Sequence, residues 1–152
     1  KIDIVYTTKS KYIKCVADEM ARWVKTHAQE FKSLHSDDDV DLLVIGCSNR
    51  LFEDKQLLEF IQSIKSAKCK NLALINCFFI NKQKIDESNS SFAKSTITLM
   101  REQYTFKMSF DQRKEIDPLI IDNARLYIED MVNVIRNYLL GARLLFFYFL
   151  NL

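Results

Sequence analysis

The chain has 152 residues, of which 28% are charged and 48% hydrophobic. This length and composition fit one globular domain with a sizeable core, and they exclude an intrinsically disordered chain. The formal net charge is only +2, and lysines and arginines alternate with acidic residues, so no basic block indicates a nucleic-acid partner.

The first thirty residues carry the most informative pattern. Apolar residues at 2–6 predict a strand, hydroxyl-rich residues 7–12 a turn, and the apolar spacing of residues 13–24 a helix. Such a turn lies at the carboxyl end of a strand and the amino end of a helix, where backbone N–H groups and the helix dipole favour an anion. The turn contains no glycine, the residue that lets a backbone wrap closely around a phosphate.

Strands and helices continue to alternate along the rest of the chain. The patterns predict a weak strand at 28–34, a solvated acidic turn at 37–39, a continuous apolar strand at 41–46, a helix at 57–64, a buried strand at 71–79, a polar loop at 80–90, a helix at 91–102, a strand at 104–110, and a long helix from Pro118 to about Leu139. Continuous apolar strands are typical of parallel sheets with helices on both faces. The expected fold is an α/β three-layer sandwich with a five-stranded parallel sheet, ordered 2-1-3-4-5.

The four cysteines indicate reduced thiols. Cys15, Cys47, Cys69 and Cys77 have neither C-x-x-C spacing nor adjacent histidines, whereas zinc sites and disulfide frameworks need closer clusters. The chain also starts on a strand pattern and not on a signal peptide. We therefore expect a cytoplasmic protein. Cys47 and Cys77 lie at the ends of neighbouring predicted strands. They either face one shared site or serve as small residues of the core.

Residues 140–152 form an apolar tail, which we separate from a domain of residues 1–139. The run at 144–150 is far shorter than the roughly 20 apolar residues that cross a bilayer, so it predicts no span, and contact with a membrane surface is the least favoured of three explanations of this tail. Packing on its own domain and a homodimer or partner interface both stay open as explanations of this tail.

Three segments together resemble the flavodoxin family. Residues 4–13, followed by the helix at 14–21, are similar to the strand and hydroxyl-rich loop that hold the FMN phosphate in that family. On this match Thr8 and Ser10 take the first two hydroxyl positions, Lys11 replaces a glycine, and Ile13 replaces the last hydroxyl. Residues 41–48 resemble the third strand before the first flavin-flanking loop, and residues 72–79 resemble the fourth strand before the second.

The resemblance implies FMN at the carboxyl edge of the sheet. Hydroxyl groups would contact the phosphate, lysines would supply charge, and apolar residues would flank the flavin ring. The cofactor-binding residues expected on this basis are Thr7, Thr8, Lys9, Ser10, Lys11, Tyr12, Ser48, Asn49, Leu51, Phe52, Cys77, Phe78 and Phe79. A polar turn with an N-cap explains the hydroxyl groups without any ligand, and buried strand ends explain the aromatic residues.

The leading hypothesis is a flavodoxin-like FMN-binding protein that transfers electrons to or from a redox partner protein. One alternative is a flavodoxin-like binding or assembly module without flavin that uses the apolar tail as its contact. Another is a flavodoxin-like oxidase at the membrane surface. We assign no catalytic residue and no metal site from the sequence.

Overall fold

The computed structural model describes the chain except residues 8–9, 34–38, 49–54, 65–68, 79–97, 101, 110, 112 and 151–152. For residues 33, 48, 57–58, 98 and 144–150 it describes the backbone only. The elements in chain order are β1 (Ile2–Tyr6), α1 (Lys11–Trp23), β2 (Ala28–Glu30), a 3₁₀ turn (Phe31–Ser33), β3 (Val40–Ser48), α2 (Lys55–Ser63), β4 (Cys69–Phe78), β5 (Thr98–Leu99), β6 (Tyr104–Lys107) and α3 (Pro118–Leu150).

All strand pairs in the sheet are parallel, and the strand order begins β2-β1-β3-β4. Both β5 and β6 pair with the same edge of β4. Leu99 is opposite Leu72 and Tyr104 is opposite Ile75, so β5 and β6 follow one another along that edge. Taken as one strand, β5 and β6 occupy the fifth position. The predicted α/β fold with the order 2-1-3-4-5 is therefore confirmed.

Strands β3 and β4 form the centre of the sheet because their residues are apolar on both faces. Leu42 and Val44 belong to the core cluster that α1 and α3 cover, whereas Leu43 and Ile45 pack in a second cluster with Ile61 of α2. Burial of each such side chain contributes about 1.5–3 kcal/mol, so a continuous apolar strand gains stability from both sides. The helices cover both faces of the sheet, which gives three layers.

Ser10 caps helix α1, which therefore begins two residues earlier than the apolar spacing predicts. Ser10 has an extended backbone (φ −141°, ψ 121°), and its Oγ accepts the N–H of Ile13 at 3.4 Å. Gly46 of β3 lies against this first turn, since a Cβ on Gly46 would be only 2.8 Å from Cγ2 of Ile13. The absence of a side chain at Gly46 lets the start of α1 pack closely on the sheet.

Other predicted boundaries also differ from the structure. The helix predicted at 91–102 is wrong at Thr98 and Leu99, which form strand β5 because their backbone pairs with the edge of β4; residues 91–97, like the loop predicted at 80–90, lie outside the described residues. Strand β2 ends at Glu30, where a 3₁₀ turn begins. The strand predicted at 104–110 ends at Lys107.

Helix α3 packs its apolar stripe on the sheet and on α1. The buried members of this stripe are Ala124, Tyr127, Ile128, Met131 and Ile135. The helix continues through Leu139, its predicted end, to Leu150, because neither proline nor a capping motif stops it there. No helix among the described residues combines the length and the apolar run needed to cross a membrane.

Candidate functional site

The carboxyl edge of the sheet brings the described members of the predicted site together. Tyr6 is opposite Gly46, and Ser48 is opposite Cys77, so β1, β3 and β4 all end at this edge. Thr7 is only 3% exposed, and its backbone N–H donates to the Gly46 carbonyl at 3.0 Å. The backbone therefore leaves the sheet just before the segment that leads to Ser10 and α1.

Ser10 is the best-defined polar group at this edge. Besides the Ile13 N–H, its Oγ accepts the Cys77 thiol proton, with Sγ and Oγ 3.9 Å apart. Its own hydroxyl proton points to the Met108 sulfur, with Oγ and Sδ 3.3 Å apart. A thioether is a weak acceptor, so this proton can turn to a stronger acceptor at small cost. The two bonds that Ser10 accepts would stay in place.

Met108 is a member of this edge that the sequence did not reveal. It is 4% exposed and follows directly after β6, where its backbone N–H donates to the Phe78 carbonyl at 2.7 Å. That bond ties the end of the fifth strand position to the end of β4. No sequence signal pointed to Met108, because its contact with Ser10 spans 98 residues.

The first turn of α1 favours an anion electrostatically. It contains no acidic residue, while Lys11 and Lys14 are exposed in or beside it. Lys11 Nζ lies 5.3 Å from the centroid of the Tyr12 ring. Lys14 Nζ is 2.8 Å from Asp18 Oδ2, and this hydrogen bond raises the pKa of Lys14. Because Asp18 compensates the charge of Lys14, the helix dipole and Lys11 are what favour an anion at this end of α1.

Tyr12 has a structural position, although the sequence grouped it with the cofactor-binding residues. Its side chain is 7% exposed, and its hydroxyl group lies 3.2 Å from the Asp111 carbonyl and 3.3 Å from the Lys114 carbonyl. These contacts hold the segment before α3 against the first turn of α1. Tyr12 therefore fixes the position of the helix start that carries Ser10.

Cys47 and Cys77 do not face a shared site, because their side chains lie on opposite faces of the sheet. Cys77 packs in the cluster under α1 and α3, and Cys47 packs in the cluster under α2. Burial raises the pKa of Cys77 to about 12 and raises the pKa of Cys47 well above its ordinary value. Both thiols stay protonated near neutral pH, which is typical of inert core cysteines.

Part of the predicted site falls outside the described residues. This applies to Thr8, Lys9, Asn49, Leu51, Phe52 and Phe79, and for Ser48 only the backbone is described. Phe78 is described and is partly buried at the end of β4. The structure thus describes several residues expected at the FMN phosphate, whereas the roles of most residues expected around the flavin ring remain predictions.

Comparison with solved structures shows the class of fold. The chain is similar to a flavodoxin from the domain Archaea, with 12% identity over 89% of this chain and 98% of that one and a TM-score of 0.63. It is also similar to oxidised flavodoxin 2 from Bacillus cereus, with 14% identity over 88% of this chain and 98% of that one and a TM-score of 0.64.

A third similar structure is the metal-soaked Flv1 flavodiiron core from Synechocystis sp. PCC6803, with 10% identity and a TM-score of 0.62. That match covers 90% of this chain and 36% of the other. No family model and no curated protein matches the chain. The chain therefore has a flavodoxin-like fold, and at these identities the likeness extends to the fold alone.

Proposed function

We propose that this chain binds FMN at the carboxyl edge of its sheet and works as a flavodoxin-like electron-transfer protein. The observation that carries the proposal is Ser10, which caps α1 at this edge and, within the part of the chain that the structure describes, directs its hydroxyl proton to the Met108 sulfur. A phosphate oxygen is a much stronger acceptor than a thioether. Binding a phosphate there would improve the hydrogen bonding of Ser10 without removing its cap.

The described residues fit the phosphate end of FMN. Ser10 would donate to a phosphate oxygen, and Lys11 would add charge to the positive end of α1. Tyr12 would hold this helix start in position through its contacts with the carbonyl groups of Asp111 and Lys114. When bound, FMN would supply the one- and two-electron chemistry, and the protein would supply binding and orientation.

A direct test compares FMN with riboflavin, which has the same ring system but no phosphate. The purified protein is first examined for flavin absorption in the visible range, and the colourless form is then titrated with each compound while flavin fluorescence is recorded. We expect quenching by FMN at concentrations at least tenfold below those that riboflavin needs. Quenching at equal concentrations of both compounds would show that the protein does not bind the FMN phosphate. No quenching by either compound would show that it does not bind flavin.

A flavodoxin-like binding module without flavin is the second candidate function. One observation favours it: exposed apolar side chains continue along α3 beyond the part that packs on the core, with Tyr138 76% and Leu140 57% exposed. Such a surface indicates a contact with something other than water. On this proposal the protein would bind neither flavin, and its activity would depend on α3.

A further inference from the structure

The distal segment of α3, defined as residues 136–150, leaves the domain that the rest of the helix covers. Ile135 is the last buried residue among the described side chains of α3, and none of those from 136 to 143 is buried. Tyr138, Leu139 and Leu140 are 76%, 44% and 57% exposed. These apolar groups lie on a regular helix that extends past its own core, so the described part of the fold does not bury them.

The sequence of the distal segment is also distinctive in its charges. From 131 to 152 the only charged residues are Arg136 and Arg143, and residues 144–150 are seven consecutive apolar residues. Arg136 and Arg143 are exposed and border one shallow depression whose other lining residues are Leu139 and Leu140. Apolar contact surface and positive charge are thus combined within two turns of one helix.

We infer that the distal segment inserts into one leaflet of a bilayer that contains anionic phospholipids. Lipid tails can surround a helix whose sequence is apolar at seven consecutive positions, and anionic headgroups attract exposed arginines at its base. The seven apolar residues 144–150 extend about 10 Å as a helix, less than one leaflet's share, about 15 Å, of the hydrocarbon thickness, so they reach into one leaflet without crossing the membrane.

A second copy of the chain fits this surface less well. Pairing two distal segments would bring four arginines together, two from each copy, with no acidic residue in residues 131–152 to pair with them. A contact between two helices would also cover only one side of each helix, whereas residues 144–150 leave no polar side. Charge complementarity therefore favours an anionic lipid surface over a homodimer.

The test is co-sedimentation of the full chain with vesicles of phosphatidylcholine alone and of phosphatidylcholine with about one third phosphatidylglycerol. Two basic residues near the surface predict binding about thirtyfold tighter to the anionic vesicles. Leu140→Asp should weaken that binding at least tenfold, because it places a carboxylate in the apolar surface. Asn137→Asp adds the same charge at a neighbouring exposed polar position and should weaken it much less.

Circular dichroism of both variants verifies that the fold is kept, which we expect because both positions are exposed. Arg136→Gln with Arg143→Gln should remove the preference for anionic vesicles. Absence of vesicle binding, or equal loss in Leu140→Asp and Asn137→Asp, would overturn the inference. If the chain binds no vesicles but forms a dimer in the absence of lipid, and Leu140→Asp dissociates that dimer, the surface binds a second copy of the chain. No flavin is needed for these measurements, so they are independent of the proposed FMN site.

Discussion

A carboxylate at position 10 should separate the two roles of Ser10, which are capping of α1 and contact with an anion. Asp and Asn are N-cap residues as good as Ser, so Ser10→Asp and Ser10→Asn should both keep the free energy of unfolding within about 0.5 kcal/mol of the wild type. The two substitutions have nearly the same shape and differ in charge. Asn is therefore the matched control for Asp.

The expected loss of FMN affinity follows from the position of Ser10 at the start of α1. A carboxylate and a phosphate about 5 Å apart, in an effective dielectric of about 40 for this partly exposed site, repel each other by about 1.7 kcal/mol per pair of charges. A phosphate with nearly two negative charges raises this to about 3 kcal/mol. Ser10→Asp should bind FMN roughly a hundredfold more weakly than Ser10→Asn.

Fluorescence titration of both variants with FMN measures this difference, and urea unfolding confirms that the cap is intact. Riboflavin is the internal control, because without a phosphate it should bind both variants equally. Equal FMN affinity of Ser10→Asp and Ser10→Asn, with both variants folded, would show that no phosphate lies beside Ser10.

Three further predictions concern the framework of the site. Gly46→Ala should lower the free energy of unfolding by about 1–3 kcal/mol because its Cβ would overlap α1. Gly141→Ala should raise it by about 0.5–1 kcal/mol, because beyond the neighbouring backbone of its own helix no described atom lies within 4 Å of an added Cβ; urea unfolding compares the pair. Tyr127→Phe should cost about 1–2 kcal/mol in the same assay, since the Tyr127 hydroxyl donates to the Glu102 carbonyl at 2.9 Å. Burial raises the pKa of Cys77 from 9.0 to about 12, so the unfolded chain loses this proton first as the pH rises above 9.0. The contribution of Cys77 to stability should therefore be complete below pH 9 and fall by up to about 1.4 kcal/mol per pH unit above it. Cys77→Ala should show a shallower loss between pH 8 and about 10.5, and an unchanged slope would contradict the reasoning.

The central strands and the strand order were predictable because burial on both faces leaves a continuous apolar run in the sequence. The apolar residues 42–45 and 72–75 form such runs, and they lie within β3 and β4. The capping role of Ser10 was also visible, since a serine before an apolar helical stripe is a common helix start. These features depend on local patterns.

Other features depend on contacts between distant residues and left no local pattern. Thr98 and Leu99 are a strand only because β4 presents its edge to them. The opposite directions of Cys47 and Cys77 follow from the register between β3 and β4, which the sequence does not reveal. Met108 contacts Ser10 although the two residues are 98 positions apart in the sequence.

The short outer strands of the sheet have a consequence for self-association. Strand β2 has three residues, β5 has two and β6 has four, whereas the inner strands β3 and β4 have nine and ten. An added strand from another molecule needs a long row of unpaired backbone groups, which short edge strands do not provide. The aggregation-prone apolar strands are thus kept inside the sheet, and growth of the sheet across molecules is disfavoured at both described edges.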